Sequence, residues 1–225
     1  MPEIRNPRTI YIFVTGGYDS IFRMCQLAMS HTPVQGIYLN LPNVDGTLHH
    51  RRNAKQEMSA IHAVVKELRR MGYGQYIYPI QVVTELKLSN LVRNTCNRFY
   101  KSGCWTRPVT QYVYMMELSL QMNKIIETGV LCDPDAVVYN TIGKYINPRT
   151  KMLDIDQVAT AGDFELMIFR NLKFPLCGNT KEQMLIYAKK NGFDHILKKT
   201  ISCWFPDSRG NPCGRCNMCK DRIKF

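Results

Sequence analysis

Alternating strand-like and helix-like segments, a Gly-Gly turn after the first strand and four clustered cysteines near the end together predict an α/β fold. The expected architecture is a Rossmann-like, doubly wound parallel sheet, followed by a small C-terminal zinc-binding module. Strands are expected at Ile10–Val14, Val34–Leu41, Tyr76–Val83, Ala136–Asn140 and Leu172–Leu176. Helices are expected at Ile21–Met29, Arg52–Met71, Val109–Thr128, Phe164–Asn171 and Lys181–Asn191. The first strand is an unbroken apolar run, as strands buried on both faces are. The second helix places Met58, Ile61, Val65 and Leu68 at three- and four-residue steps, and Gly72 supplies its stop. Asn147-Pro148-Arg149-Thr150-Lys151 and the surroundings of Lys101-Ser102-Gly103 read as exposed loops. Tyr112 through Met116 reads as core packing. Residues 1–198 are expected to form the α/β domain and 199–225 the cysteine-bearing appendage.

The chain has 225 residues, 45% of them hydrophobic and 21% charged, as in ordinary globular domains. No apolar run reaches the roughly 20 residues that a membrane helix needs. The first residues lack an apolar segment ahead of a cleavage site, so a cytoplasmic location is expected and no membrane partner. The formal net charge of +12 suits polyanionic partners, nucleotide phosphates or nucleic acid, although the lysines and arginines are scattered rather than gathered in one run.

The most informative stretch is Ile10-Tyr11-Ile12-Phe13-Val14 running into Thr15-Gly16-Gly17-Tyr18-Asp19-Ser20. Two glycines allow a tight turn and a close backbone approach to a ligand. The helix that follows turns its unpaired amides and positive dipole end toward the same place, which suits a phosphate group. No Gly-Lys-Ser/Thr follows, so this is not the lysine-bearing phosphate loop. Candidate nucleotide-binding residues are therefore Phe13, Val14, Thr15, Gly16, Gly17, Tyr18, Asp19 and Ser20. His50 and Arg51 join them because they follow the second strand, at the end of the sheet where ligands gather.

Cys203, Cys213, Cys216 and Cys219 form a second constellation. Their spacing fits tetrahedral zinc held by four thiolates, with no open position and hence a structural role. An iron–sulfur cluster is the chemical competitor. Lys220, Arg215 and Arg222 would offset the negative charge of such a site. The odd cysteine count argues against a disulfide framework, and Cys25, Cys96, Cys104, Cys132 and Cys177 read as core residues.

The loop resembles the Ser-Gly-Gly-x-Asp-Ser signature of the PP-loop ATP pyrophosphatases, with Thr15 in place of the first serine. Together with Cys-x9-Cys-x2-Cys-x2-Cys it resembles the 7-cyano-7-deazaguanine synthases. Other similar segments are Leu48-His49-His50-Arg51-Arg52, Phe174-Pro175-Leu176 with Thr180-Lys181-Glu182, and Thr200-Ile201-Ser202-Cys203-Trp204. The middle departs from that family: Arg107-Pro108-Val109-Thr110-Gln111 stands where it has Val-Pro-x-Arg-Asn, and its glycine-led loop is missing around Val138-Tyr139-Asn140-Thr141.

The resemblance implies an adenine nucleotide α-hydrolase-like fold and the cofactors ATP, Mg²⁺ and Zn²⁺. It implies a deazapurine carboxylate substrate with ammonia, and a homodimer. Asp19, Ser20 and Lys181 would be the catalytic residues, with Asp19 binding Mg²⁺ or orienting the loop and Lys181 reaching a phosphate or the substrate carboxylate. Two other functions stay open, a thiolase-like tRNA-modifying enzyme and an amidating relative with another acceptor.

Overall fold

The computed structural model describes residues 9–41, 53–105, 110–131, 137–203, 205–207, 209–216 and 219–220. His50 and Arg51 lie outside these residues, as do Arg107, Cys132 and Arg222. In chain order the regular elements are β1 (Ile10–Phe13), α1 (Tyr18–Met29), β2 (Val34–Leu39), α2 (Ala54–Arg70), β3 (Gln81–Val83), α3 (Asn90–Lys101), α4 (Thr110–Met122), β4 (Ile126–Glu127), α5 (Val137–Ile142), α6 (Ile155–Ala161), β5 (Leu172–Lys173), α7 (Lys181–Lys190) and α8 (Asp194–Leu197). The strands lie in one sheet of order β3-β2-β1-β4-β5. β1 pairs in parallel with β2, Ile10 opposite Val34 and Phe13 opposite Ile37, and β4 pairs in parallel with β5. The α/β class and the parallel sheet are as expected.

Two compact units divide the chain. The first takes residues 1–40, 50–82 and 180–225, so the cysteine segment belongs to it. Its core is built from Ile12, Phe13 and Val14 of the first strand and its extension, Val34, Ile37 and Tyr38 of β2, and the apolar faces of α1 and α2. The buried positions of α2 are Glu57, Ala60, Ile61, Val64, Val65 and Leu68, one stripe at helical spacing that includes a carboxylate. Gly72 ends this helix at φ 90°, and the Tyr73 N–H closes back on the Leu68 carbonyl at 2.9 Å.

The second unit takes residues 41–49 and 83–179. Trp105, Phe169, Phe174 and Ile142 are among its most buried side chains. Ser89 caps α3 by accepting the Val92 N–H, and it donates its own N–H and hydroxyl to the buried Glu117 carboxylate at 2.9 and 2.7 Å. Asp154 caps α6 by accepting the Gln157 N–H. The Asn147 side chain accepts the N–H groups of Arg149 and Thr150, which makes the expected exposed loop an Asx turn.

Several sequence expectations are corrected. Residues 137–140, expected as a strand, are helical, because Thr141 bonds its hydroxyl to the Val137 carbonyl at 2.8 Å and accepts the Trp105 indole N–H at 3.0 Å. The helix expected through Thr128 stops at Met122: Asn123 takes φ 47°, Lys124 bonds back to the Ser119 carbonyl, and β4 follows. The strand expected over 76–83 is interrupted near Pro79, leaving one bridge from Ile77 to Val34 and then β3. Residues 164–169 form a 3-10 helix rather than an α-helix. Among the core cysteines, Cys25 and Cys96 are buried as expected, Cys104 is exposed, and buried Cys177 is disulfide-bonded rather than a thiol. No described helix is long and apolar enough to cross a membrane.

Thr141→Val should strand the buried Trp105 indole N–H without changing side-chain shape. The expected loss is about 1–3 kcal/mol, read as a lower urea midpoint with an unchanged m-value.

Candidate nucleotide and metal sites

The phosphate-loop candidate is built by close backbone contact. Gly16 has φ 67°, and a Cβ there would stand 2.7 Å from the Glu57 carbonyl oxygen of α2. Its own carbonyl accepts the Ile201 N–H at 2.9 Å. Only glycine satisfies both the left-handed conformation and this approach. Gly17 is the extended N-cap of α1, and no side chain caps the helix there. The helix therefore presents its positive end to the loop without an internal acceptor from a capping residue.

The hydroxyls lie inside this turn. Ser20 is buried; its Oγ accepts the Thr15 N–H at 3.2 Å and donates to the Gly17 carbonyl at 3.3 Å, with Thr15 Oγ1 3.4 Å away. Phe13 and Val14 are also buried, so their side chains face the core and only their backbone could serve a ligand.

Lys181 and Asp19, 162 residues apart in sequence, meet in an ion pair with Nζ 2.8 Å from Oδ1. Both side chains are about a quarter exposed, Lys181 25% and Asp19 28%, so the pair is reachable from solvent. Lys181 is the first residue of α7, fixed by a capping box in which Thr180 accepts the Gln183 N–H and Gln183 accepts the Thr180 N–H. A cation in this position works against the helix dipole, so helix stability does not account for it. The ammonium also lies 5.2 Å from the centre of the Tyr18 ring. The Tyr18 hydroxyl is buried with no hydrogen-bond partner among the described residues, and burial, aided by Asp19, pushes its pKa up to about 12. It is a neutral donor at any physiological pH.

Behind the loop runs a buried polar chain that the sequence reading missed. Tyr38 donates to Glu57 at 2.8 Å, and the Asn53 amide donates to Glu57 at 3.1 Å and to the Cys203 carbonyl at 3.0 Å. The available signal was a glutamate four residues before Ile61 on an apolar stripe.

The four predicted cysteines come together, with all ligand sulfurs within 4.8 Å of one another. A single ion about 2.3 Å from each of four sulfurs sets them about 3.8 Å apart, and Cys213 Sγ and Cys219 Sγ stand 3.9 Å apart. That spacing has room for one ion and none for the irons and sulfides of a polynuclear cluster. Gly214 turns the chain at φ 71° between Cys213 and Cys216. N–H groups of Phe205 and Cys213 point at the Cys203 sulfur at 3.3 and 3.2 Å, and that of Cys216 at the Cys213 sulfur at 3.4 Å. Backbone hydrogen bonds from Arg215 and Cys216 hold the Cys213 thiol down at about 6, whereas burial pushes Cys219 up to about 12.

The family profile of the queuosine biosynthesis protein QueC matches residues 148–224, the stretch that holds both Lys181 and the four cysteines. No curated protein matches the chain. Among solved structures it is similar to a predicted subunit of tRNA methyltransferase from Methanocaldococcus jannaschii, at 14% identity and TM-score 0.41, covering 80% of this chain and 74% of that one. It is similar to NMN synthetase from Francisella tularensis, at 15% identity and TM-score 0.40, covering 97% and 73%. A 4-thiouridine synthetase in complex with RNA and ATP gives 15% identity and TM-score 0.38, covering 96% of this chain and 49% of the other.

Gly16→Ala should cost about 2 kcal/mol or more, from the left-handed backbone and the overlap with Glu57. Gly17→Ala should cost less, since φ is negative there and the nearest obstacle is the Thr15 hydroxyl at 3.2 Å; paired thermal melts give the comparison. Elemental analysis should find one zinc per chain, less in Cys216→Ser, and chelation should lower the melting temperature because a structural metal contributes to folding.

Proposed function

We propose that the chain is an ATP-dependent, AMP-forming carbon–nitrogen ligase that adenylates 7-carboxy-7-deazaguanine and, with ammonia, forms the amide and then the nitrile 7-cyano-7-deazaguanine. One observation carries the reading. The stretch matched by the queuosine biosynthesis profile contains Lys181, and Lys181 reaches back to Asp19 in the Thr-Gly-Gly-Tyr-Asp-Ser loop. Cytoplasmic operation and a homodimeric state belong to the same proposal, on family resemblance.

A carboxylate is a poor electrophile because its leaving group would be oxide. Attack of its oxygen on the α-phosphorus of ATP expels pyrophosphate and leaves a mixed anhydride. Ammonia then adds to the carbonyl carbon, AMP departs and a proton is lost, giving the amide. Transfer of a second AMP to the amide oxygen, followed by loss of AMP and a proton, leaves the nitrile. The residues of this chain supply charge neutralisation and positioning for these steps.

Amides from Gly16 to Ser20 hold the pyrophosphate portion, and the Thr15 and Ser20 hydroxyls donate to it once Ser20 turns from the Gly17 carbonyl. The Lys181–Asp19 pair is the resting arrangement: the ammonium neutralises phosphate or substrate carboxylate when it leaves Asp19. Asp19 is the residue that would hold Mg²⁺, which would supply further neutralisation of phosphate charge. His50 and Arg51 contact phosphate or acceptor. Zinc on the four cysteines is structural. A thiolase-like activity fits less well, because burial pushes the Cys96 thiol up to about 12, away from the thiolate that sulfur transfer uses.

Incubation with ATP, Mg²⁺, ammonium and 7-carboxy-7-deazaguanine should release AMP and yield the amide or nitrile base by mass spectrometry. Lys181→Ala, Asp19→Ala and Ser20→Ala should each reduce AMP release at least tenfold while retaining zinc. AMP release only in the presence of tRNA would replace this reading with tRNA modification, and full activity in Asp19→Ala and Ser20→Ala would remove the loop assignment.

A further inference from the structure

The Lys181 ammonium has a second neighbour besides Asp19. It stands 5.2 Å from the centre of the Tyr18 ring as well as 2.8 Å from Asp19 Oδ1. Tyr18 and Asp19 open α1 together, so one helix start fixes both neighbours. Lys181 opens α7, whose capping box fixes its backbone, whereas a flexible four-carbon stem separates the ammonium from that anchor. What holds the ammonium in place is therefore found on α1.

The tip of the Tyr18 ring is buried, so the ring is held at its far end. Its hydroxyl keeps its proton, since burial pushes its pKa up to about 12. The attraction is then that of a neutral aromatic face for a cation, with no phenolate involved. This contact and the ion pair draw on the ammonium differently. Asp19 occupies an N–H donor, and a phosphate must displace it to take that donor. A ring face engages the charge as a whole and leaves the directed donors free. We propose that Tyr18 is a positioning residue, whose ring keeps the Lys181 ammonium beside the loop while its donor passes from Asp19 to an incoming phosphate. Without the ring, breaking the ion pair would release the lysine stem to water, and the phosphate would have to order it again. The phosphate rests on the nucleotide reading of the loop; the hold on Lys181 rests on the ring–ammonium contact alone.

The two halves are tested separately. An aromatic face shifts the protons of a methylene beside it upfield, so NMR of the full chain carrying isotope-labelled lysine reads the contact without any ligand. One lysine ε-methylene resonance should stand apart from the others, vanish in Lys181→Arg, remain in Tyr18→Phe and rejoin the others in Tyr18→Leu. Absence of a displaced resonance, or its survival in Tyr18→Leu, would overturn the proposal. Calorimetric titration with ATP and Mg²⁺ reads the second half. Tyr18→Leu should bind about fivefold more weakly than Tyr18→Phe. In a Lys181→Met background the same two substitutions should bind ATP alike, because the ring acts through the ammonium. A gap of equal size in both backgrounds would overturn the proposal, since Tyr18 would then serve the base or the packing directly. Wild-type protein that shows the displaced resonance and binds no ATP would remove the nucleotide reading, and the phosphate role of Tyr18 with it. Equal affinities in Tyr18→Leu and Tyr18→Phe, with ATP still bound, would remove the role of Tyr18 alone.

Discussion

The missing side chain at Gly16 is the constraint on which the site depends. The turn after β1 passes so close to α2 that a single added carbon would meet the Glu57 carbonyl at 2.7 Å. That approach lets the Gly16 carbonyl reach the Ile201 N–H, so the loop is held on one side by α2 and on the other by the segment leading to the cysteines. The anion-binding role proposed for the turn needs this support, because its amides can face a ligand only if the backbone is kept from relaxing onto its own acceptors. The buried Tyr38–Glu57–Asn53 chain serves the same end. Glu57 is almost fully buried, and its hydrogen bonds keep the α2 backbone where the glycine needs it.

Charge placement sets Lys181 against its own helix. At the start of α7, Lys181 faces the unfavourable end of the helix dipole, and a glutamate or serine there would suit the helix better. The neighbouring Asp19 offsets that cost, but a pair that only stabilised the fold would gain little at a quarter exposure. The pair fits the role proposed for Lys181, a cation held near the loop for phosphate.

The parts of the fold that were legible in the sequence are those where local pattern and tertiary need agree. The run Ile10–Phe13, the Gly-Gly turn and the α2 stripe each carry one periodicity, and the structure follows it. The four cysteines were legible as a cluster because their close, regular spacing is one that packing does not imitate, and the structure brings their sulfurs within 4.8 Å of one another. Residues 137–140 run against the strand expected at Ala136–Asn140 because Val-Val-Tyr-Asn favours a strand in isolation, and only Trp105, distant in sequence, shows why they are helical. β4 was hidden by its length of two residues, although Asn123 just before it is a residue that tolerates a left-handed helix stop. α3 went unread because its buried face, Val92, Thr95, Cys96 and Phe99, mixes a hydroxyl into the apolar stripe. The Lys181–Asp19 contact spans 162 residues, and no local pattern carries it.

The cysteine cluster bears on the loop although it is too closed for catalysis. Cys203 lies two residues after Ile201, whose N–H holds the Gly16 carbonyl, and the Cys203 carbonyl accepts from Asn53, which also holds Glu57. Fixing the Cys203 sulfur on an ion therefore fixes a short segment bonded to both supports of the turn. Without the ion, four sulfurs within 4.8 Å would carry thiol protons or repelling thiolates, and the segment would lose its anchor at one end. The loosening would pass through one hydrogen bond to the loop, at Gly16, and one to Asn53 at the start of α2 before it reached the rest of the core. A site four ligands deep and far from any chemistry of its own can in this way set how well the first turn of the sheet keeps its amides aligned.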